Sequence, residues 1–276
     1  MNRIEEIKAN RIEEIKANRI DGKFAELKVQ NKKALITFIT AGDPDIETTE
    51  KLVLEMERAG ADIIELGVPF SDPVAEGPVI QAASERALKN GVCLDDIFML
   101  VKRLREKTNV PILLMMYLNC IYKFGKERFF SLCAENGVDG VIVPDMPFEE
   151  RDEISEEAKK YNVYSISLVA PTSNERIKKI AKESQGFLYC VSSLGVTGQR
   201  SDFTTDFGAF FSLINKYSKT PAALGFGIST PQQVSELKEF CQGIIVGSAI
   251  VKLVEEYGKD SSKPVAEFVK SLKDAM

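Results

Sequence analysis

The chain has 276 residues, of which 44% are hydrophobic and 28% charged, which is enough to bury the core of one large domain or of two small ones. Its 36 basic and 41 acidic residues give a net charge of −5, and the basic residues are scattered, so we expect neither a nucleic-acid surface nor a membrane surface. Because histidine is absent, a Ser-His or Cys-His nucleophile and a histidine-built metal site are excluded, and we expect no metal.

The N-terminus carries a tandem repeat, in which the eight residues 2–9 recur identically as residues 10–17. Eight residues exceed two helical turns by about 80°, so the isoleucines of the repeat spread over a broad face and form no heptad seam. We expect residues 1–17 to be an extension, helical or fraying, that precedes a domain formed by residues 18–276. A specific oligomer contact made by the repeat is the alternative.

After the repeat, short β-rich segments alternate with segments whose apolar residues recur every three or four positions. We predict eight strands, at residues 34–40, 62–66, 111–116, 140–143, 164–169, 187–191, 222–226 and 243–246. We predict helices at residues 46–59, 98–107, 127–136, 149–161, 175–183, 206–217 and 232–240. This order predicts parallel strands with right-handed crossovers, and eight units in roughly 250 residues favour an α/β fold, a single (β/α)8 TIM barrel with an extra N-terminal helix. A doubly wound open sheet is the structural alternative.

The cysteines and the lengths of the apolar runs indicate in which cellular compartment the protein is expected. The five cysteines are far apart, odd in number and include no Cys-x-x-Cys pair, so we expect them to be reduced and mostly buried. The charged N-terminus has no apolar signal region, and the longest apolar run, around residues 112–118, is far too short to span a membrane. We therefore expect a cytoplasmic protein.

Three carboxylates lie in segment 64–78, where three prolines stiffen a loop directly after a predicted strand. Glu65 ends that strand at its carboxyl end, where the active sites of barrels lie. Burial there would raise the pKa of Glu65, so that it could exchange a proton near neutral pH; a pair with a buried arginine or lysine is the alternative. Glu76 lies across the loop and could face the same cavity, whereas Asp72 is interpreted as a turn former.

Glycines follow the last three predicted strands, at Gly195 and Gly198, at Gly225 and Gly227, and at Gly247, which precedes Ser248. Bare backbone amides there, with a helix N-terminus after Ser248, predict a phosphate site that needs no cationic side chain. Residues 195–205 are rich in Gly, Ser and Thr and are interpreted as a mobile lid. Aromatic residues near strand ends could line a ligand pocket or pack in the core: Phe38, Tyr117, Tyr189 and Phe226.

Together these motifs closely resemble the α subunit of tryptophan synthase. The loop at residues 65–78 matches the signature of that family, and the match runs over residues 18–270 through segments 38–44, 143–147, 195–198 and 225–229. The resemblance implies a carbon–carbon lyase of tryptophan biosynthesis, which cleaves indole-3-glycerol phosphate to indole and glyceraldehyde 3-phosphate. It also implies no cofactor and an α2β2 complex, in which indole passes to a β subunit that uses pyridoxal phosphate.

The resemblance also assigns roles to residues. Glu65 would be the catalytic proton shuttle, Glu76 would bind the indole N–H, and Thr197 on the lid would hydrogen-bond near the acids. The indole would be surrounded by Phe38, Tyr117, Ile142, Tyr189 and Phe226. The phosphate would be held through Gly195, Gly225, Gly227, Gly247 and Ser248. Many members of the family have Asp where this chain has Glu76, and some have Arg where it has Ser193.

Two other functions remain open on the residues alone. Another phosphate-binding barrel, an isomerase or a synthase, would share the glycine loops but would not need Glu65 and Glu76 together. A non-catalytic subunit that binds glycerol phosphates and activates the β partner would keep the barrel but lack turnover of its own.

Overall fold

The computed structural model describes residues 18–171, 173–191, 206–225 and 227–276. The N-terminal repeat and the segment interpreted as a lid lie outside these ranges, as do Ser193, Gly195, Thr197 and Phe226. No helix in the described part of the chain is long and apolar enough to cross a membrane.

The strands of the described chain form one parallel sheet around which the helices lie. The strands are β1 (Ala34–Thr40), β2 (Ile63–Gly67), β3 (Ile112–Met115), β4 (Gly140–Ile142), β5 (Tyr164–Ser165), β6 (Leu168–Val169), β7 (Leu188–Val191), β8 (Ala222–Gly225) and β9 (Gly243–Val246). Their order in the sheet is β5-β4-β3-β2-β1-β9-β8-β7-β6.

The two ends of this sheet are halves of one predicted strand, at residues 164–169. Its first half, β5, pairs with β4, and its second half, β6, pairs with β7. Between them, the Ile166 amide donates to the Val141 carbonyl at 2.9 Å and the Ser167 carbonyl accepts from the Tyr189 amide at 3.0 Å. The sheet therefore closes on itself. Counting β5 and β6 as one strand, this confirms the predicted eight-stranded barrel and excludes the open sheet.

The described α-helices are numbered in chain order, and the first of them precedes β1. They are α1 (Arg19–Val29), α2 (Ile46–Arg58), α3 (Pro78–Lys89), α4 (Leu94–Arg105), α5 (Leu118–Phe124), α6 (Lys126–Asn136), α7 (Asp152–Lys160), α8 (Asn174–Glu183), α9 (Phe207–Tyr217), α10 (Pro231–Leu237), α11 (Ser248–Tyr257) and α12 (Ser262–Asp274).

The sequence prediction of helices was incomplete. The helix predicted at residues 149–161 is a 3₁₀ turn (Phe148–Glu150) followed by α7. Helix α3 was not predicted, because its start lies inside the proline loop, although Pro78 at its first turn is a favourable residue there. Helices α5 and α12 were also missed.

Helix α1 closes the amino-terminal end of the barrel. The Asn18 side chain caps this helix by accepting from the Ile20 amide at 3.0 Å. Ile20 is completely buried and, with Phe24, packs against the strand residues of the inner cluster of the barrel. Because Asn18 also donates to the Asp139 carbonyl at 2.8 Å, the start of the helix is fixed on the barrel.

The strands are buried on both faces, as in other parallel barrels. Every residue of β1 is buried, with Leu35 and Ile39 packed in the core between strands and helices. Ile36 and Phe38 instead face the barrel interior.

The cysteines are all free: three are buried, Cys120 is half-buried and Cys93 is exposed.

Candidate active site

Glu65 lies in β2, in register with Phe38 of β1 and Leu113 of β3. Ile63, two positions earlier, packs in the inner cluster of the barrel, and strand periodicity puts the Glu65 side chain on the same face. Its exposed fraction is 0%, and neither carboxylate oxygen has a hydrogen-bond partner in the described ranges. The pair with a buried arginine or lysine, the alternative drawn from the sequence, is therefore absent from this part of the chain.

Burial without a partner changes the protonation of Glu65. Because a charged carboxylate is poorly solvated inside the barrel, burial raises the pKa of Glu65 to about 8. The side chain is therefore mostly neutral at pH 7 and able to donate a proton. Tyr189 lies close enough that the negative charge of Glu65 adds to burial in raising the pKa of the tyrosine.

Glu76 follows the proline loop and is held by Tyr117. The Tyr117 hydroxyl accepts from the amides of Val74 and Ala75, both at 2.9 Å, and donates to the Glu76 carboxylate. Burial raises the pKa of Glu76 above its usual range, while the hydrogen bond from Tyr117 opposes that rise. A single side chain thus fixes both the loop and its acid.

The rest of the loop packs against the same tyrosine. The Phe70 and Tyr117 rings lie 5.0 Å apart between centroids, and the Glu76 carbonyl accepts from the Gln81 side chain at 2.8 Å. Asp72 is exposed in a bend and accepts from the Ser71 hydroxyl at 2.5 Å. These contacts attach the loop to α3 through Gln81 and to Tyr117, which lies between β3 and α5.

A cavity opens at the carboxyl ends of the strands and brings several candidate residues together. Phe38, Tyr189 and Glu76 line it, as do Gly227, Gly247 and Ser248. The sequence analysis did not predict the remaining lining residues, because an apolar residue near a strand end looks the same in sequence whether it lines a cavity or packs in the core. These residues are Ala75, Ile80, Met115, Pro144, Leu168, Ile228 and Ile245. No cationic side chain lines the cavity in the described part of the chain.

Other candidates lie outside this lining. Glu65 is fully buried and is not among the lining residues. Ile142 packs in the inner cluster of the barrel, and Tyr117 hydrogen-bonds to Glu76, which does line the cavity. Gly225 belongs to β8, where an added Cβ would lie 2.9 Å from the Tyr189 ring. Gly195, Thr197 and Phe226 lie outside the described residues.

Glycines at these strand ends make room for aromatic rings. A Cβ on Gly67 would lie 2.5 Å from the Phe38 ring, and one on Gly247 would lie 3.3 Å from the Phe38 side chain. The sequence pattern predicted a phosphate role for Gly225 and Gly247, but it did not predict this packing role. Without these glycines, Phe38 and Tyr189 could not occupy their present positions.

The cavity has one end suited to an anion. Helix α11 begins at Ser248, immediately after Gly247, so its amino-terminal amides and the positive end of its dipole lie at the cavity. No cluster of three or more His, Cys, Asp or Glu residues suited to a metal occurs within the described ranges. The geometry thus combines a neutral buried acid, a second acid held by a tyrosine, apolar walls and an anion-binding end.

Comparison with known families agrees with this arrangement. The family model described as tryptophan synthase alpha chain matches residues 24–276. The chain belongs to the tryptophan synthase alpha chain family. The alpha chain of Thermoanaerobacter pseudethanolicus is 52% identical over 258 residues, covering 93% of this chain and 98% of that one. That of Geobacillus stearothermophilus is 49% identical over 245 residues, covering 86% and 91%.

Solved structures of tryptophan synthase alpha chains share the fold. The alpha subunit from Legionella pneumophila aligns with a TM-score of 0.84 at 38% identity, covering 94% of this chain and 98% of that one. A chain of the a2b2 complex from Pyrococcus furiosus aligns with a TM-score of 0.79 at 36% identity, covering 87% and 97%. The family match begins after the N-terminal repeat, at residue 24.

Proposed function

We propose that this chain is the lyase subunit that cleaves indole-3-glycerol phosphate to indole and glyceraldehyde 3-phosphate in tryptophan biosynthesis. Membership of the family supports the reaction. The observation that carries its mechanism is the buried, unpaired carboxyl of Glu65, whose neighbours Phe38 and Tyr189 line the cavity together with Glu76.

Glu65 is proposed to move the protons. The reaction is a retro-aldol cleavage, which requires a proton on carbon 3 of the indole and loss of the proton from the adjacent side-chain hydroxyl. Neutral Glu65 donates the first proton, and its carboxylate then accepts the second as the carbon–carbon bond breaks, so the acid returns to its starting state. Proton transfer of this kind contributes about 10²–10⁴ in rate.

Glu76 is proposed to stabilise the indole. Protonation at carbon 3 places positive charge on the ring, and a carboxylate that accepts from the indole N–H stabilises that charge. The hydrogen bond from Tyr117 favours the ionised form of Glu76 and fixes its position. Phe38, Tyr189 and the other apolar residues of the cavity are proposed to surround the ring. We assign Tyr117, Ile142 and Phe226 to the same pocket on the basis of the family resemblance alone.

The phosphate is proposed to bind where α11 begins at the cavity. Gly247 and Ser248 lie at the start of α11, and Gly227 lines the cavity just after β8, which ends at Gly225. Backbone amides at a helix N-terminus bind phosphate without a cationic side chain. We assign Gly195 to the same phosphate site and Thr197 to the lid, on the basis of the family resemblance alone.

The proposed partner is the tryptophan synthase β subunit. The Pyrococcus furiosus relative forms an a2b2 complex, and we infer the same heterotetramer for this chain. Pyridoxal phosphate would then belong to the β subunit, and this chain would need no cofactor of its own. We also propose a cytoplasmic location, where free cysteines such as these stay reduced.

Residues 1–17 are proposed to be an extension of a barrel formed by residues 18–276. Two observations support this division: Asn18 caps the first described helix, and the family match begins only at residue 24.

The deciding experiment measures indole release from indole-3-glycerol phosphate, with and without the β subunit. We expect turnover by the chain alone and faster turnover in the complex. Activation of the β subunit without any lyase turnover would instead identify a regulatory subunit. Phosphate binding without indole release under either condition would identify a different phosphate-binding barrel.

A further inference from the structure

Arg86 connects three parts of the barrel through one guanidinium group. It lies in α3, the helix that begins directly after the loop carrying Glu76. Its Nε and Nη2 atoms donate to the two carboxylate oxygens of Asp43 at 2.8 and 2.9 Å, and its Nη1 atom donates to Glu255 at 3.0 Å. The contact with Asp43 is therefore a two-bond fork, which has a defined orientation as well as an attraction.

Each of the three connected elements carries part of the cavity wall. Asp43 follows β1, which carries Phe38, and Glu255 lies in α11, whose first residue is Ser248. Helix α3 itself begins two residues after Glu76. Arg86 thus joins the elements that carry the aromatic wall, the second acid and the anion-binding end.

Apolar packing between these elements specifies their relative position less sharply than the fork does. Ile80 and Ala83 of α3 pack with Phe38 and with Val251 of α11. Such contacts are non-directional, whereas the fork requires one rotation and one height of α3 relative to Asp43. Asp43 is only 2% exposed, so solvent weakens the pair less than it would on the surface.

The position of α3 is transmitted to Glu76 over a short path. The Gln81 side chain, in the first turn and a half of α3, donates to the Glu76 carbonyl at 2.8 Å. The Glu76 carboxylate is held in turn by Tyr117 from the other side. A shift of α3 along its axis would therefore move Glu76 relative to Phe38 and Ser248.

We propose that Arg86 is a positioning residue, which sets the distance between Glu76 and the anion-binding end of α11 through its fork on Asp43 and its hydrogen bond to Glu255. The inference rests on the lyase function proposed above. Arg86 does not line the described cavity, so its effect on the reaction is indirect.

The test is Arg86→Lys, which keeps the positive charge but loses the fork. We expect kcat for indole release to fall by about 10- to 100-fold with little change in KM, because misplacing an acid by a fraction of an ångström weakens transition-state contacts most. Asp43→Asn, which removes the charge at the other side of the fork, should reduce kcat in the same direction. An unfolding curve is measured for each variant, and kcat is compared only under conditions in which the variant is folded.

The matched control is Arg103→Lys. Arg103 of α4 donates to Glu50 of α2 at 2.8 Å, so it also joins two elements, but neither residue lines the cavity. We expect this variant to lose stability without losing kcat. Equal losses of kcat in Arg86→Lys and Arg103→Lys would overturn the inference.

A double-mutant cycle with Glu76→Asp tests whether the effect passes through Glu76. We expect the two substitutions to be non-additive in kcat, since they would disturb the same placement. Additive effects would mean that Arg86 acts elsewhere and would overturn the inference. If the unaltered chain released no indole, the proposed function would fail first, and this outcome is distinct from either result of the cycle.

Discussion

Asp139 and Glu65 are two buried carboxylates at opposite ends of the barrel, and their surroundings differ completely. Asp139 lies directly before β4, is 4% exposed and accepts from Arg19, from Arg105 and from the Ile112 amide, each at 2.8 Å. Glu65, near the carboxyl end of β2, is equally buried but has no hydrogen-bond partner in the described ranges. Asp139 is thus a buried acid with three donors, whereas Glu65 is a buried acid without one in the described ranges.

The difference separates stability from chemistry. Asp139 attaches α1 and α4 to the sheet, as the amino-terminal face of such barrels commonly serves stability. Burial of Glu65 without a partner lowers stability and raises its pKa to about 8, so that the acid can exchange protons near neutral pH, as its proposed role requires. The following predictions break or sharpen this comparison, in order of decreasing effect.

Glu65→Gln should abolish indole release. The amide has nearly the shape of the neutral acid but cannot donate or accept the reacting protons, so we expect a loss of at least about 10²–10⁴ in kcat. Binding of substrate, measured by calorimetry, should change little. Retained turnover would remove Glu65 from the mechanism.

Asp139→Ala should have the opposite profile. It leaves Arg105 partly buried without its carboxylate, and we expect a loss of about 3–5 kcal/mol in the free energy of unfolding. Urea unfolding measures this loss, and kcat of the folded enzyme should stay near that of the unaltered chain. Asp95→Ala, which removes an exposed pair with Arg128, is the control and should change stability little. A large loss of kcat in folded Asp139→Ala would contradict the separation of the two ends.

The stability of the unaltered chain should fall as the pH rises from about 4.5 to about 8. The unfolded chain releases the Glu65 proton near its ordinary pKa of 4.5, whereas the folded chain keeps the proton until about pH 8. Glu65→Gln lacks this penalty, so we expect it to be more stable than the unaltered chain by on the order of 3 kcal/mol at pH 7. The gap should nearly close at pH 4.5. If the unfolding free energies of the unaltered chain and of Glu65→Gln changed with pH in the same way, Glu65 would not be held neutral in the folded chain.

Tyr117→Phe should have the smallest effect of the four. It removes the hydroxyl that joins the Val74 and Ala75 amides to the Glu76 carboxylate, and we expect kcat/KM for indole release to fall roughly tenfold. Tyr122→Phe is the matched control, because its hydroxyl donates to the exposed Glu153 away from the cavity. Equal kinetics in the two variants would deprive Tyr117 of its positioning role.

The sequence indicated the two candidate acids but not the residues that hold them in place. Glu65 and Glu76 are visible in a single loop, because proline and a strand end mark the segment locally. The fork of Arg86 on Asp43 joins residues 43 positions apart, and the bond between Tyr117 and Glu76 joins residues 41 apart. No local pattern indicates which distant side chains meet.

The sequence by itself determined the alternation of strands and helices, and hence the parallel barrel, because periodicity and parallel crossovers are properties of short segments. It also determined the family, because the loop at residues 65–78 is a continuous signature. Only the tertiary structure decided that the sheet closes through the two halves of segment 164–169 and that Glu65 is buried unpaired while Asp139 is satisfied. Closure and burial depend on contacts between distant segments, and these contacts form only when the whole barrel is packed.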